Sequence, residues 1–280
     1  MKRKESGLIA ERNSPLVQRI KEIKAEHPFW GYRRTWAHLK FVDKLEVNKK
    51  RVLRLMQKHS LLVKPNQKLR ANRTPTRSKP RPDRPNQWWG IDMTKVMVNG
   101  FGWMYIVVVL DWYTKKIAGY YAGMECKSSH WLEALYMAVN TQFPDGIQEN
   151  QPHLMSDNGS QPTSVSFMKS CRDLGVSQAF TSYNNPKGNA DTERVFRTMK
   201  EELLWLREWT SPFELVDALS GWIAKYNSSY LHSALGYKAP IQYENEYRNG
   251  QITQLVSAWL MGCITKIIYI NGEKVCYVNR

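Results

Sequence analysis

Residues 103–110, WMYIVVVL, form an almost wholly apolar run rich in β-branched side chains. A strand with one wet face alternates apolar and polar residues, whereas an unbroken apolar run belongs to a strand buried on both faces. The surrounding sequence supplies the rest of an α/β plan. Residues 88–97 read as a preceding strand, Asn99-Gly100 as a tight hairpin turn, and residues 115–121 as a third strand of the meander. Ser128 or Ser129 opens a helix through Trp131, Leu135 and Val139. A short strand over 153–156 then ends in the turn Asp157-Asn158-Gly159. A helix (165–174), a strand (176–180), a loop with Pro186 and Gly188, and a helix starting near Asn189 follow.

This order sets three carboxylates at chemically useful places. Asp92 lies within the first strand, Asp157 at the end of the fourth, and Glu193 in the first turn of a helix, where the helix dipole favours an acid. Three converging carboxylates repel one another, and a divalent cation with a taste for oxygen ligands reverses that cost. Asp191 is the main rival for the third position, while Asp111, at the end of the second strand, reads as a structural turn residue. Along the last helix Phe196, Met199, Leu203 and Leu206 form the expected core stripe, with Glu193, Arg197, Lys200 and Leu204 on a flank. Lys200 is about 10.5 Å from Glu193 along the axis, too far for an ion pair and suited to a neighbouring phosphate. The set reads as a metal-dependent enzyme acting on nucleic acid.

Charge points the same way. The net charge is +16, yet residues 1–87 hold 24 Lys and Arg against 7 Asp and Glu, where the remainder holds 17 against 18. A basic module beside a near-neutral domain fits a polyanion partner. Within residues 15–62 three helices are predicted: one with Pro15 in its first turn and Leu16, Ile20 and Ile23 facing inward; one over 32–41; and one capped by Asn48 with Val52, Leu55 and Met56 inside. The outer face of the third carries Lys49, Lys50, Arg51, Arg54 and Lys58, and Arg33 and Arg34 stand on the second. A short break joining two helices, the second one basic, suits a helix-turn-helix reader. Residues 64–87 alternate proline with Lys68, Arg70, Arg73, Arg77, Lys79, Arg81 and Arg84, an extended basic linker. Cys126, Cys171, Cys263 and Cys276 form no CxxC pair, so a zinc site or a disulfide framework is not indicated and a reduced, cytoplasmic and nucleoid-associated setting is expected. No apolar window of about 18 residues marks a membrane span.

The segments IDMT, SDNGSQ and GNADTERVFRTMKEE, with 35 residues between Asp157 and Glu193, resemble the DDE catalytic core of integrases and insertion-sequence transposases. HPFWGYRRTWAHL with VNKKRVLRLMQKHSL, and YNSSYLHSALGYKAP after the core, are similar to the flanks of the second-frame (orfB-type) transposase. The resemblance implies an RNase H-like integrase core, an α/β fold with a mixed five-stranded sheet and flanking helices, preceded by an all-α helix-turn-helix domain. The domains then run over 1–63 (helix-turn-helix), 64–87 (linker), 88–245 (core) and 246–280, an extension with a β-hairpin. It implies Asp92, Asp157 and Glu193 as the catalytic, metal-binding triad, and two Mg2+ ions with Mn2+ as a substitute. Lys200 and Arg197 would then act on DNA beside Arg33, Arg34, Lys49, Lys50, Arg51, Arg54 and Lys58. Implied partners are the transposon ends and target DNA, further copies of the chain, and an upstream-frame (orfA-type) protein or fusion. The rival readings are an RNase H-like nuclease that does not join strands, and a non-catalytic DNA-binding relic. The sequence departs from the family pattern at Pro162, at Lys187 and at Tyr230-Leu231; His232 reads as a loop or DNA-contact residue.

If the linker cations track phosphates, replacing Lys68, Arg70, Arg73 and Arg77 by Gln should flatten the plot of log affinity for DNA against log salt by about 0.9 for each phosphate left without its cation. Titrations from low to high salt measure this directly; an unchanged slope excludes the role.

Overall fold

The computed structural model describes residues 7–63, 80–148, 151–181, 189–260, 264–270 and 273–278. Five linker cations of the sequence reading (Lys68, Arg70, Arg73, Arg77, Lys79), the loop residues Pro186, Lys187 and Gly188, and the turn Asn271-Gly272 lie outside these residues.

Strands β1 (Trp88–Val98), β2 (Gly102–Asp111), β3 (Ile117–Gly123), β4 (His153–Ser156) and β5 (Ser177–Phe180) make a mixed sheet in the order β3-β2-β1-β4-β5. The first three form an antiparallel meander, and β4 and β5 add in parallel to β1. β2 is the buried strand its composition requires, and its alternation divides two cores. Met104, Ile106, Val108 and Leu110 face α6 (Ala190–Met199) and α7 (Pro212–Ser229), meeting Phe196, Met199, Leu215 and Leu219. Val107 and Val109 face α4 (Ser128–Gln142) and α5 (Val165–Asp173), meeting Trp131, Leu135 and Phe167. The sheet order, the strand directions and the helices on both faces are those of the RNase H-like plan.

Ahead of the sheet, α1 (Gly7–Glu26), α2 (Tyr32–Ala37) and α3 (Lys49–Lys58) enclose Ile20, Ile23, Trp30, Leu39, Val52 and Met56. Asn48 caps α3 as expected, its side chain accepting from the Lys50 N–H at 2.8 Å. Pro15 differs from expectation: it sits inside α1, because the helix starts eight residues earlier, at Gly7. Proline cannot donate to the carbonyl four residues back, so α1 lacks one rung there. After Ala37 the second helix widens into a π-type turn, His38–Val42, before the break that leads to α3.

A second π-type turn, Lys200–Leu204, follows α6 and overturns part of the sequence reading. One extra residue in a turn sets the phase of the later residues back by about 100°. Leu204, expected on the flank, is therefore buried, while Leu206, expected in the core, is 48% exposed. The chain ends in α8 (Pro240–Leu260) and an antiparallel hairpin of β6 (Ile264–Ile270) and β7 (Glu273–Val278). Among the described residues no helix is long and apolar enough to cross a membrane.

The helical unit docks on the sheet unit through the same π-type turn. The Trp30 indole N–H donates to Glu202 Oε1 at 2.8 Å, and Arg34 approaches that oxygen at 3.5 Å. The Arg34 guanidinium also lies 4.7 Å over the Tyr230 ring, and Trp36 and Phe41 both meet Tyr237. His232 packs in this junction against Tyr226 and Tyr230, and burial lowers its proton affinity to about 3.

Glu202→Ala strands the Trp30 donor and should lower the free energy of unfolding by about 1–3 kcal/mol. Urea unfolding of Glu202→Ala, Trp30→Phe and the double variant tests this. The double loss should fall well short of the two single losses combined, and strict additivity would mean that the hydrogen bond contributes nothing.

Candidate active site

Two strands and one helix converge at one end of the sheet. β1 and β4 pair in parallel with Gly90 opposite Met155. Two residues further on stand Asp92, within β1, and Asp157, just past the end of β4, so the register carries the two acids to corresponding places on neighbouring strands. Each carboxylate is fixed by a local backbone donor. Asp92 Oδ1 accepts from the Met93 N–H at 2.8 Å, and Asp157 Oδ1 from the Gly159 N–H at 3.0 Å in a turn of the Asx type.

The helix that brings the third acid is held by Asn189, which sequence reasoning took only as a helix start. Its buried amide donates to the Ile91 carbonyl at 3.1 Å and accepts from the Thr192 hydroxyl at 2.6 Å. Contact is close enough to demand glycine at position 90: a Cβ there would fall on Thr192 Oγ1, Asn189 Oδ1 and the Trp112 indole nitrogen. α6 thereby starts against β1, and Glu193 enters beside Asp92. Asp191, two residues earlier, points away and pairs with Lys115 at 3.0 Å. Asp111 is buried, accepts from the Thr114 hydroxyl at 2.7 Å and the Tyr113 N–H at 3.1 Å, and serves the turn after β2.

Asp92, Glu193, Arg194, Arg197, Lys200 and Trp205 line one cleft of about 780 Å3. Burial pushes the Asp92 carboxyl up to about 6. Asp157 and Glu193 push in the same direction by repulsion, against the Met93 N–H and the Lys200 cation. Asp157 and Glu193 are exposed, and among the described residues no three His, Cys, Asp or Glu side chains close on a single point at metal-ligand distance. The arrangement is an acidic cleft with a basic rim, able to meet phosphate oxygens with its cations and a hard cation with its carboxylates.

Profiles described as "Integrase core domain" match residues 82–186 and 174–240, and one described as "HTH-like domain" matches residues 11–68. Residues 82–240 thus match integrase-core models from end to end, behind an HTH-like domain. The chain's homologues are insertion-sequence transposases. The putative transposase InsK for insertion sequence element IS150 of Escherichia coli (strain K12) is 28% identical over 246 residues, 84% of this chain and 85% of that one. The transposase InsD for insertion element IS2D of the same strain is 24% identical, with 82% and 78% covered. The transposase for IS904 of Lactococcus lactis subsp. lactis (strain IL1403) is 28% identical over 57% of this chain and 62% of that one. Among solved structures, the simian T-cell lymphotropic virus intasome in complex with PP2A regulatory subunit B56 gamma is similar at a TM-score of 0.49 and 16% identity, covering 80% of this chain and 74% of that one. The HTLV-2 integrase catalytic core domain in complex with magnesium is similar at 0.46 and 17%, covering 59% and 99%.

The integrase core and its HTH-like domain distribute the remaining basic residues unevenly. Lys50, Arg54 and Lys58 form an exposed stripe four residues apart on α3. Lys49 and Arg51 are engaged: the Lys49 ammonium lies 4.1 Å over the Trp36 ring, and Arg51 donates to Asn13 Oδ1 at 2.7 Å, tying α3 to α1. Arg33 is exposed and Arg34 is turned into the junction described above. Arg197 pairs with Glu201 at 2.9 Å on the rim of the cleft. Sequence reasoning missed Arg194 of the same cleft, and Asn189 with Gly90; the signal for the last two was a helix-starting Asn and a glycine inside a strand, where close backbone approach is one of few reasons for it.

Because folding raises the proton affinity of Asp92 from its ordinary value of 3.8 to about 6, stability falls as pH climbs through that window. The full cost above about pH 6 is about 3 kcal/mol. Asp92→Asn, which keeps an oxygen for the Met93 N–H, should stabilise the metal-free chain by up to that amount near neutrality and by nothing below about pH 4. Chemical denaturation across pH measures the gap; a pH-independent gap contradicts the assignment.

Proposed function

We propose that this chain is a DNA transposase that cuts a phosphodiester at the end of an insertion sequence and joins the freed 3′-hydroxyl to target DNA. The observation that carries the reading is the company Asp92 keeps: Glu193 and Lys200 in its own cleft, and Asp157 near enough to raise its proton affinity. The homology to insertion-sequence transposases over most of the chain supports the same reading.

The three carboxylates present only hard oxygen donors, a set that fits magnesium or manganese. Asp92, Asp157 and Glu193 would hold two such ions, and when bound these supply an activated attacking oxygen and a stabilised leaving oxygen. The chain's own residues do the rest. Lys200, Arg194 and Arg197 neutralise and orient phosphates on the rim. Asn189 and Gly90 fix Glu193 relative to Asp92 and act as positioning residues. Asp92, partly buried and near two like charges, carries a proton in acid that it would lose where it held a cation. Cutting and joining break one P–O bond and form another at the same phosphorus centre, and differ only in whether water or a 3′-hydroxyl attacks. The exposed stripe Lys50, Arg54 and Lys58, together with Arg33, would hold the duplex end, with further copies of the chain and an upstream-frame protein completing the assembly.

A joining assay on labelled DNA carrying the element's inverted repeats, with magnesium, tests the proposal. Wild-type protein should give joined products that a chelator removes. Glu193→Gln and Asp157→Asn should each lower the yield by at least about a hundredfold, at the top of the range for losing a group that merely supports a metal ligand. Cleavage without joining would make the chain a nuclease, and DNA binding with neither reaction, even when fused to the upstream frame, would make it a relic.

A further inference from the structure

The acidic cleft does not end at Lys200. Lys200 and Trp205 also line a second cleft, shared with Lys95, Met97, Trp103 and Arg207. Two tryptophans stand open in it: Trp205 is 65% exposed and Trp103 43%, with Met97 at 45% beside them. An indole removes some 150–250 Å2 from water when buried, so adjacent exposed indoles are a cost that a packed fold avoids unless the surface is used. The π-type turn at Lys200–Leu204 turns Leu204 inward and sets the exposed Trp205 on the side of the helix that carries Lys200.

The rim of the second cleft is cationic. The Lys95 ammonium lies 4.4 Å over the Trp103 ring, and Arg207 lies 4.2 Å over Trp209 while pairing with Glu214 at 2.8 Å. The one acid among the lining residues, Glu208, accepts from the Asn99 amide at 3.2 Å. Flat apolar faces interleaved with ammonium and guanidinium groups match a polyanion whose bases are free to stack. A duplex keeps its bases against one another and offers such a surface only phosphates, whereas an unpaired strand offers both.

We infer that the second cleft binds unpaired nucleotides of the DNA strand whose phosphate occupies the acidic cleft, with bases stacked on Trp205 and Trp103 and phosphates met by Lys95, Lys200 and Arg207. This rests on the nucleic-acid reading of the acidic cleft and adds a second subsite to it. The strand runs from one cleft into the other past Lys200, which both share.

The test uses the full chain in chelator, which halts turnover, and two DNA probes of the same sequence: a blunt duplex, and one with a short unpaired overhang containing 2-aminopurine. Wild type should bind the overhang probe about tenfold more tightly than the blunt one, with the 2-aminopurine emission quenched on binding. In Trp205→Ala and in Trp103→Ala the ratio of affinities should fall to about one and the quenching should be lost; Trp205→Phe should restore both. A wild-type ratio of one, or a ratio and quenching that persist in both alanine variants, overturns the inference. So does a dimer that Trp205→Ala dissociates without changing the ratio, because the patch would then belong to a second copy of the chain. Any of these results alongside normal joining activity removes the second subsite alone. A chain that binds neither probe and joins nothing takes the transposase reading down with it.

Discussion

The chemistry of this molecule depends on how firmly the start of α6 is held against β1. One buried amide does this: Asn189 spans the gap between the Ile91 carbonyl and the Thr192 hydroxyl, over a glycine that admits no side chain. A buried amide left without partners costs about 1–3 kcal/mol, so the clamp is energetically self-enforcing. From it the helix runs as a rigid rod, and everything further along inherits its position. Glu193 enters beside Asp92, Lys200 reaches the far rim, and the π-type turn decides which of the next residues face water.

The parallel register of β1 and β4 supplies the other half of the arrangement. It carries two acids to corresponding places on neighbouring inner strands, where the Met93 N–H and Lys200 oppose the repulsion felt by Asp92. The raised proton affinity of Asp92 comes first from its burial and then from that crowding. A fold carrying such repulsion is less stable than it could be, as expected where charges are gathered to receive something of opposite sign.

Much of this was legible in the sequence. The run in β2 buried on both faces, the Asn48 cap, the strand over residues 153–156 and the hairpin at the end of the chain all follow from local pattern. So does the setting of each acid: Asp92 inside a strand, Asp157 at a strand end, Glu193 in a first helical turn. What the sequence did not disclose is long-range or out of phase. A π-type turn has no local signature, since its extra residue is stabilised by the packing on either side, and simple helical phase therefore misplaces Leu206. The duty of Arg51 was hidden because Asn13 lies on another helix. The junction at Glu202 joins residues 172 apart, and its aromatic wall is built from Tyr230.

Glu202 also stands on the same stretch of helix as Glu193, nine residues or about 13 Å further on. The helical unit is therefore bolted to the rod that delivers an acid to the cleft. The two parts are not interchangeable modules: a helical unit grafted from a relative would have to bring its own equivalents of Trp30 and Arg34, spaced to meet this turn and this tyrosine. Recombination between family members would be expected to break cleanly in the stretch after residue 63 only when the docking residues on both sides travel together.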